Sequence, residues 1–292
     1  MKTKIQKSCR AILRPLAQVA RKALTPTEPP LVFDWHQVEA GVAAGSSLLL
    51  PKTRAISDLI CSGEYEKRIL QFVSALVNEN HCCYDIGGHY GYYTMALSKL
   101  ARQGSVHTFE PVSEHANRIE RAVKKSQFAR TNVHPMAVAG ENGTLTLKFA
   151  ADAGDDSMAY LDVYGGVDTA AAHEHYQHFK EMTVNAITID QAAQQFGVPQ
   201  FIKIDAEGAE GAILEGAREL LRSDRPRLLI EVHGIHEAMH CSEVLTEMNY
   251  QAIMLSEQKT TLPILWTHQS DQDAKSIVEE ILQMPPTIFF RR

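Results

Sequence analysis

An α/β fold built on a doubly wound, mostly parallel seven-stranded sheet is predicted by two observations. Strand and helix patterns alternate from residue 82 onward, and a glycine-rich loop follows the first strand of that series. Short apolar runs such as Leu228, Leu229 and Ile230 support it, because strands covered on both faces have that composition.

Ahead of the alternating region, Ile5, Cys9, Ile12, Leu13, Leu16, Val19, Ala20 and Leu24 recur at helical spacing with basic residues between them. This predicts a basic amphipathic helix over residues 1–24, lying on an anionic membrane surface or docked on the body of the protein. Thr25 to Pro30, with three prolines, reads as a linker, so residues 1–30 form an N-terminal segment and 31–292 the main domain. Residues 31–55 predict a hairpin around Gly41 and Gly45, and Tyr65–Val77 predicts a helix against the sheet.

The series then reads strand Cys82–Ile86, helix Tyr92–Leu100, strand Ser105–Phe109, helix Ser113–Ser126 and strand Asn132–Val138. Residues 143–182 form an insertion, with a strand at Thr144–Phe149 and a stretch carrying His173, His175 and His178, placed as a lid or as a solvated loop. The pattern resumes with strand Thr183–Ile187, helix Asp190–Phe196, strand Phe201–Ile204, helix Ala209–Arg222, strand Arg227–Val232 and helix His236–Met248. Strands near Tyr250–Leu255 and Thr287–Phe290 are expected to close the sheet.

A hydrophobic content of 45% and a charged content of 22% are globular values and exclude a disordered or fibrous class. The net charge of −6 argues against a nucleic-acid partner, although residues 1–27 hold seven basic residues and no acid. Five cysteines without a CxxC pair suit a reducing, cytoplasmic setting. Arg14 and Gln18 interrupt the apolar positions, so neither a spanning helix nor a secretory signal is expected.

The loop Asp85-Ile86-Gly87-Gly88-His89-Tyr90-Gly91 falls where open α/β sheets bind nucleotides. Asp85 and Tyr90 occupy slots that a dinucleotide fingerprint gives to glycine, which disfavours NAD. An acid there would repel a pyrophosphate but suits a ligand with an ammonium and a sulfonium, as S-adenosylmethionine has. Gly87, Gly88 and Gly91 let backbone approach such a ligand. Glu110 ends the next strand 25 residues after Asp85, where a carboxylate can accept from a ribose diol. A structural turn with an N-cap acid is the plainer reading of the loop alone.

These residues resemble the FkbM family of methyltransferases. The resemblance rests on Ser62-Gly63-Glu64-Tyr65-Glu66, Tyr84–Thr94, His107-Thr108-Phe109-Glu110-Pro111, Ala137-Val138, Phe201–Glu210 with its Lys-Ile-Asp-x-Glu-Gly element, and Ile230-Glu231-Val232. It implies a Rossmann-like class I fold, S-adenosylmethionine as cofactor, and O-methylation of a sugar, glycan or natural-product hydroxyl. On that basis Asp85, Gly87, Gly88, His89, Gly91, Glu110, Pro111 and Ala137 are the cofactor candidates. His89 departs from the pattern, since the family usually has Asn there, and His adopts unusual backbone conformations less readily.

Methyl transfer to a hydroxyl needs a held oxygen and a proton acceptor at the C-terminal rim of the sheet. Asp205 and His233, each at a strand end, are the base candidates, with Glu207 orienting substrate or cofactor. Two sober alternatives are a helix cap for the acids and a satisfied hydrogen bond for His233. Asp205, Glu207, Glu231 and His233 are also able to assemble an oxygen-rich metal site. His236-Glu237-Ala238-Met239-His240 matches HExxH and raises a zinc metallopeptidase as the competing enzyme. A non-catalytic glycan- or partner-binding module on the same fold is the third reading.

Overall fold

Odd and even positions of the central strands go to opposite faces, and that alternation builds two cores around one sheet. The computed structural model describes residues 31–52, 54–150, 159–161, 179–255 and 262–283. The expected helix over 1–24, the three insertion histidines and the strand at Thr287–Phe290 lie outside the described residues.

The chain opens with a hairpin, β1 (Phe33–Gln37) antiparallel to β2 (Ser47–Pro51), followed by α1 (Ala55–Cys61) and α2 (Lys67–Leu76). The alternating series follows as β3 (Cys82–Ile86), α3 (Tyr92–Leu100), β4 (Ser105–Phe109), α4 (Ser113–Lys125) and β5 (Thr131–His134). Next come β6 (Ala137–Val138), β7 (Gly143–Ala150), β8 (Ala159–Leu161), β9 (Phe179–Ile187) and α5 (Ile189–Phe196). The rest is β10 (Phe201–Ile204), α6 (Glu210–Glu215), α7 (Arg218–Ser223), β11 (Arg227–Val232), α8 (Gly234–Glu247), β12 (Tyr250–Met254), β13 (Leu262–His268) and α9 (Gln272–Gln283).

The seven-stranded sheet runs β12, β13, β11, β10, β3, β4, β5. Neighbours from β11 to β5 are parallel, and β13 is antiparallel to both β11 and β12. Its order reverses at β3, where β10 pairs on one side and β4 on the other, and ligand crevices open at such a switch point. Register aligns Ile204 with Ile86 and Ile230, and Ile86 with Phe109. Gly87, Glu110 and Asp205 therefore leave the sheet at one level, that of Glu231 within β11.

Tyr84, Ile86, Ile202, Ile204, Leu228 and Ile230 pack with the apolar faces of α5 to α8. Cys83, Phe201 and Leu229 pack on the other face with Phe72 of α2, Met95 of α3, Ile119 of α4 and Val278 of α9. Among the described residues no helix is long and apolar enough to cross a membrane.

Three expectations are corrected. The strand expected over Asn132–Val138 is two strands, because Pro135 has no amide to donate: β5 stays in the main sheet while β6 joins β9, β7 and β8 in a second sheet of four. The helix expected over Ala209–Arg222 breaks at Gly216, whose carbonyl accepts from the Asp190 amide instead of continuing the helix. A Cβ on Gly216 would lie 2.6 Å from the Ala139 carbonyl oxygen, so the close crossing requires glycine. A strand not expected from the sequence, β13, enters the seven-stranded sheet, with Pro263 paired in register with Glu231.

Candidate functional site

Glycines decide the shape of the loop between β3 and α3. Gly87 has φ 79°, its N–H donates to the Phe109 carbonyl at 2.9 Å, and a Cβ on it would fall on the Asp205 carbonyl oxygen. Gly88 is packed so closely that a Cβ would meet Thr108 Cγ2 at 2.5 Å and Ile119 Cδ1 at 2.8 Å. Gly91, at φ 82°, starts α3. His89 adopts φ 46° despite its side chain, and its N–H donates to Glu110 Oε2 at 2.9 Å. That bond to a carboxylate offsets the backbone strain.

Glu110, 4% exposed, holds the far side of the loop. Oε1 accepts from the Val112 N–H at 2.9 Å and lies 3.6 Å from His115 Nδ1. Burial alone would raise its pKa, but His115 and the His89 and Val112 amides outweigh burial and hold the carboxyl below its ordinary value. A carboxylate has about four acceptor directions, so this one keeps capacity for a ligand diol. Pro111 follows it beyond the end of β4, while Ala137 is buried in β6 opposite Ala186.

Asp85, in β3 just before the loop, has no exposed surface. Oδ2 accepts from the Thr94 hydroxyl at 2.7 Å, while Oδ1 is 3.6 Å from Lys203 Nζ and has no hydrogen bond. Burial raises its pKa against the opposing pull of Lys203 and Thr94. Lys203 links the loop to the neighbouring strand. Its ammonium donates to the Gly87 carbonyl at 2.9 Å and lies 3.4 Å from Asp205, tying the loop to the end of β10. Burial opposes its charge, yet Asp205 and Asp85 together lift its pKa well above the lysine value.

Asp205, Glu207 and His233 are brought together at the tips of β10 and β11. Nε2 of His233 is 3.4 Å from Glu207 Oε2 and 3.7 Å from Asp205 Oδ1, and Nδ1 is 2.9 Å from Glu210 Oε1. Glu210 is wholly buried, and the same oxygen accepts from the Ala206 and Gly208 amides at 3.2 and 3.0 Å. Sequence reasoning left Glu210 out of the site, although its place at a helix start is the signal for this loop-closing role. Burial pushes Glu207 up to about 7, with His233 pulling the other way. For His233, burial is outweighed by Glu210, Glu207 and Asp205, which push it up to about 9.

The HExxH residues are spent elsewhere. Glu237 accepts from the Gly211 amide at 2.8 Å, and His240 Nε2 faces Glu215 at 3.4 Å. Among the described residues the group spaced to hold a metal is Asp205, Glu207 and His233.

Sheet order and switch-point loop define the Rossmann-like fold of class I methyltransferases. The model of the FkbM methyltransferase domain matches residues 85–255, and the chain belongs to that family. The chain is similar in fold to the FkbM methyltransferase of Methylobacillus flagellatus, at 17% identity and a TM-score of 0.50, over 73% of this chain and 53% of that one. It thus spans about half the length of that structure. A precorrin-6y C5,15-methyltransferase of Geobacter metallireducens is also similar, at 11% identity and a TM-score of 0.45, over 70% of this chain and 88% of that one. M. jannaschii TYW2 in complex with AdoMet matches at 12% identity and 0.45, over 82% and 85%. No curated protein matches.

Proposed function

We propose that the chain is an S-adenosylmethionine-dependent O-methyltransferase acting on a hydroxyl of a sugar, glycan or natural-product small molecule. One observation carries this reading: a glycine cradle and a buried ribose-type acid share a rim with three proton-handling side chains, Asp205, Glu207 and His233.

The residues fit the cofactor on structural grounds. A Cβ at Gly87 or Gly88 would strike the Asp205 carbonyl or Thr108, so the loop runs with its backbone bare. Glu110 is anchored by two amides at the position from which a diol is held. Bound there, S-adenosylmethionine supplies an electrophilic methyl group on a leaving sulfonium. Asp85 acts on the site indirectly, by fixing α3 through Thr94 and the loop through Lys203.

The acceptor hydroxyl needs orientation and a place for its proton. With no cation beside it, His233, pushed up to about 9 against burial by Glu210, Glu207 and Asp205, holds its proton at neutral pH. The carboxylates of Asp205 and Glu207, 29% and 27% exposed, are the groups open to an acceptor.

The test is incubation with methyl-labelled S-adenosylmethionine and fractionated cell extract. Label in base-stable ethers of the glycan or small-molecule fraction is expected. Label confined to protein would refute the proposed acceptor class.

A further inference from the structure

Asp205, Glu207 and His233 each offer one ligand atom, and these atoms lie within 4.8 Å of one another. The separations of 3.4 and 3.7 Å from His233 Nε2 exceed good hydrogen-bond length. Donors that share an ion at about 2.1 Å, with angles near 90–110°, stand roughly 3.0–3.4 Å apart. The two separations from His233 thus lie at or just beyond those of a filled set.

His233 supplies the second observation. Its side chain is 9% exposed, and its Nε2 is aimed between two carboxylate oxygens at 3.4 and 3.7 Å, where a bound cation would displace the ring proton. Nδ1 meanwhile points at buried Glu210, the outer carboxylate that fixes the ring of a ligating histidine. Lys203 is already engaged with Gly87, Asp85 and Asp205, so it leaves the gap beside Glu207 to another charge.

We propose that Asp205, Glu207 and His233 bind one divalent transition-type cation, Mn²⁺ or Zn²⁺, and leave open positions for two adjacent oxygens of an acceptor. One imidazole with two carboxylates favours such ions over Ca²⁺, which takes oxygen alone. The acceptor clause rests on the function proposed above, whereas the cation site does not. A bound ion draws charge off a coordinated hydroxyl and fixes its direction, which is what the bare carboxylates would otherwise have to do.

Calorimetry with MnCl₂, and with ZnCl₂ in parallel, on untagged full-length protein stripped with EDTA reads the site directly. One ion per chain is expected, with affinity at least tenfold weaker in Asp205→Asn and in Glu207→Gln and unchanged in His236→Ala. Thermal melts check folding, and Glu207→Gln, at a partly exposed side chain, decides if Asp205→Asn is unstable. Three results would overturn the site: no binding of either ion, binding that survives both substitutions, or binding lost in His236→Ala. S-adenosylhomocysteine titrated into the same wild-type sample separates the two ideas, since its binding stands or falls with the cofactor reading alone.

Discussion

Gly87 turns the chain at φ 79° directly against the Asp205 carbonyl, so an added methyl group meets both backbone strain and a collision. Strain of this kind alone costs about 1–3 kcal/mol. Gly87→Ala is therefore expected to lower urea-denaturation stability by at least that amount; an unchanged midpoint would show that the loop is not held against β10. This glycine was legible in the sequence because a loop after the first strand of an α/β series has few other uses for it. The complete burial of Asp85 was not legible, since a strand-end acid can face inward or outward at equal sequence cost. Glu210 was hidden for a related reason: its partners, His233 and two amides, come from a different strand and a loop conformation.

Elements with clear period were read to within a residue or two, as β3, α3, β4, β10 and β11 show. The misses occurred where one residue changes backbone bonding: Pro135 between β5 and β6, Gly216 between α6 and α7, and Pro263 inside β13. At the α6–α7 break, Asp190 caps the second helix, its two carboxylate oxygens accepting from the Leu220 and Glu219 amides at 2.9 and 3.1 Å. Loss of a cap costs about 1 kcal/mol. Asp190→Ala should cost about that much by urea titration while leaving S-adenosylhomocysteine affinity unchanged. A large loss of affinity instead would mean that the break communicates with the rim.

Across the whole molecule, acid sensitivity should follow from histidines buried as neutral groups. Burial, aided by neighbouring His134, lowers His107 to about 4 from an ordinary value of 6.5. The unfolded chain takes up that proton first as pH falls, so the folded state loses stability between pH 6.5 and about 4. The loss is at most roughly 1.4 kcal/mol for each pH step of one across that window. Above pH 6.5 this contribution is flat. Urea midpoints at about pH 8, 6.5 and 5 check the slope, and His107→Phe should reduce it; equal midpoints throughout would contradict the assignment.

The same scale carries the central claim, that parallel strands meeting at β3 place the glycine loop and Glu110 around one adenosyl ligand. Isothermal titration of S-adenosylmethionine into the full chain and into Glu110→Ala measures it most directly. One site per chain is predicted, with at least tenfold weaker affinity in the variant at unchanged circular dichroism. Equal affinity in the two proteins, or no binding to the unaltered chain, would contradict it.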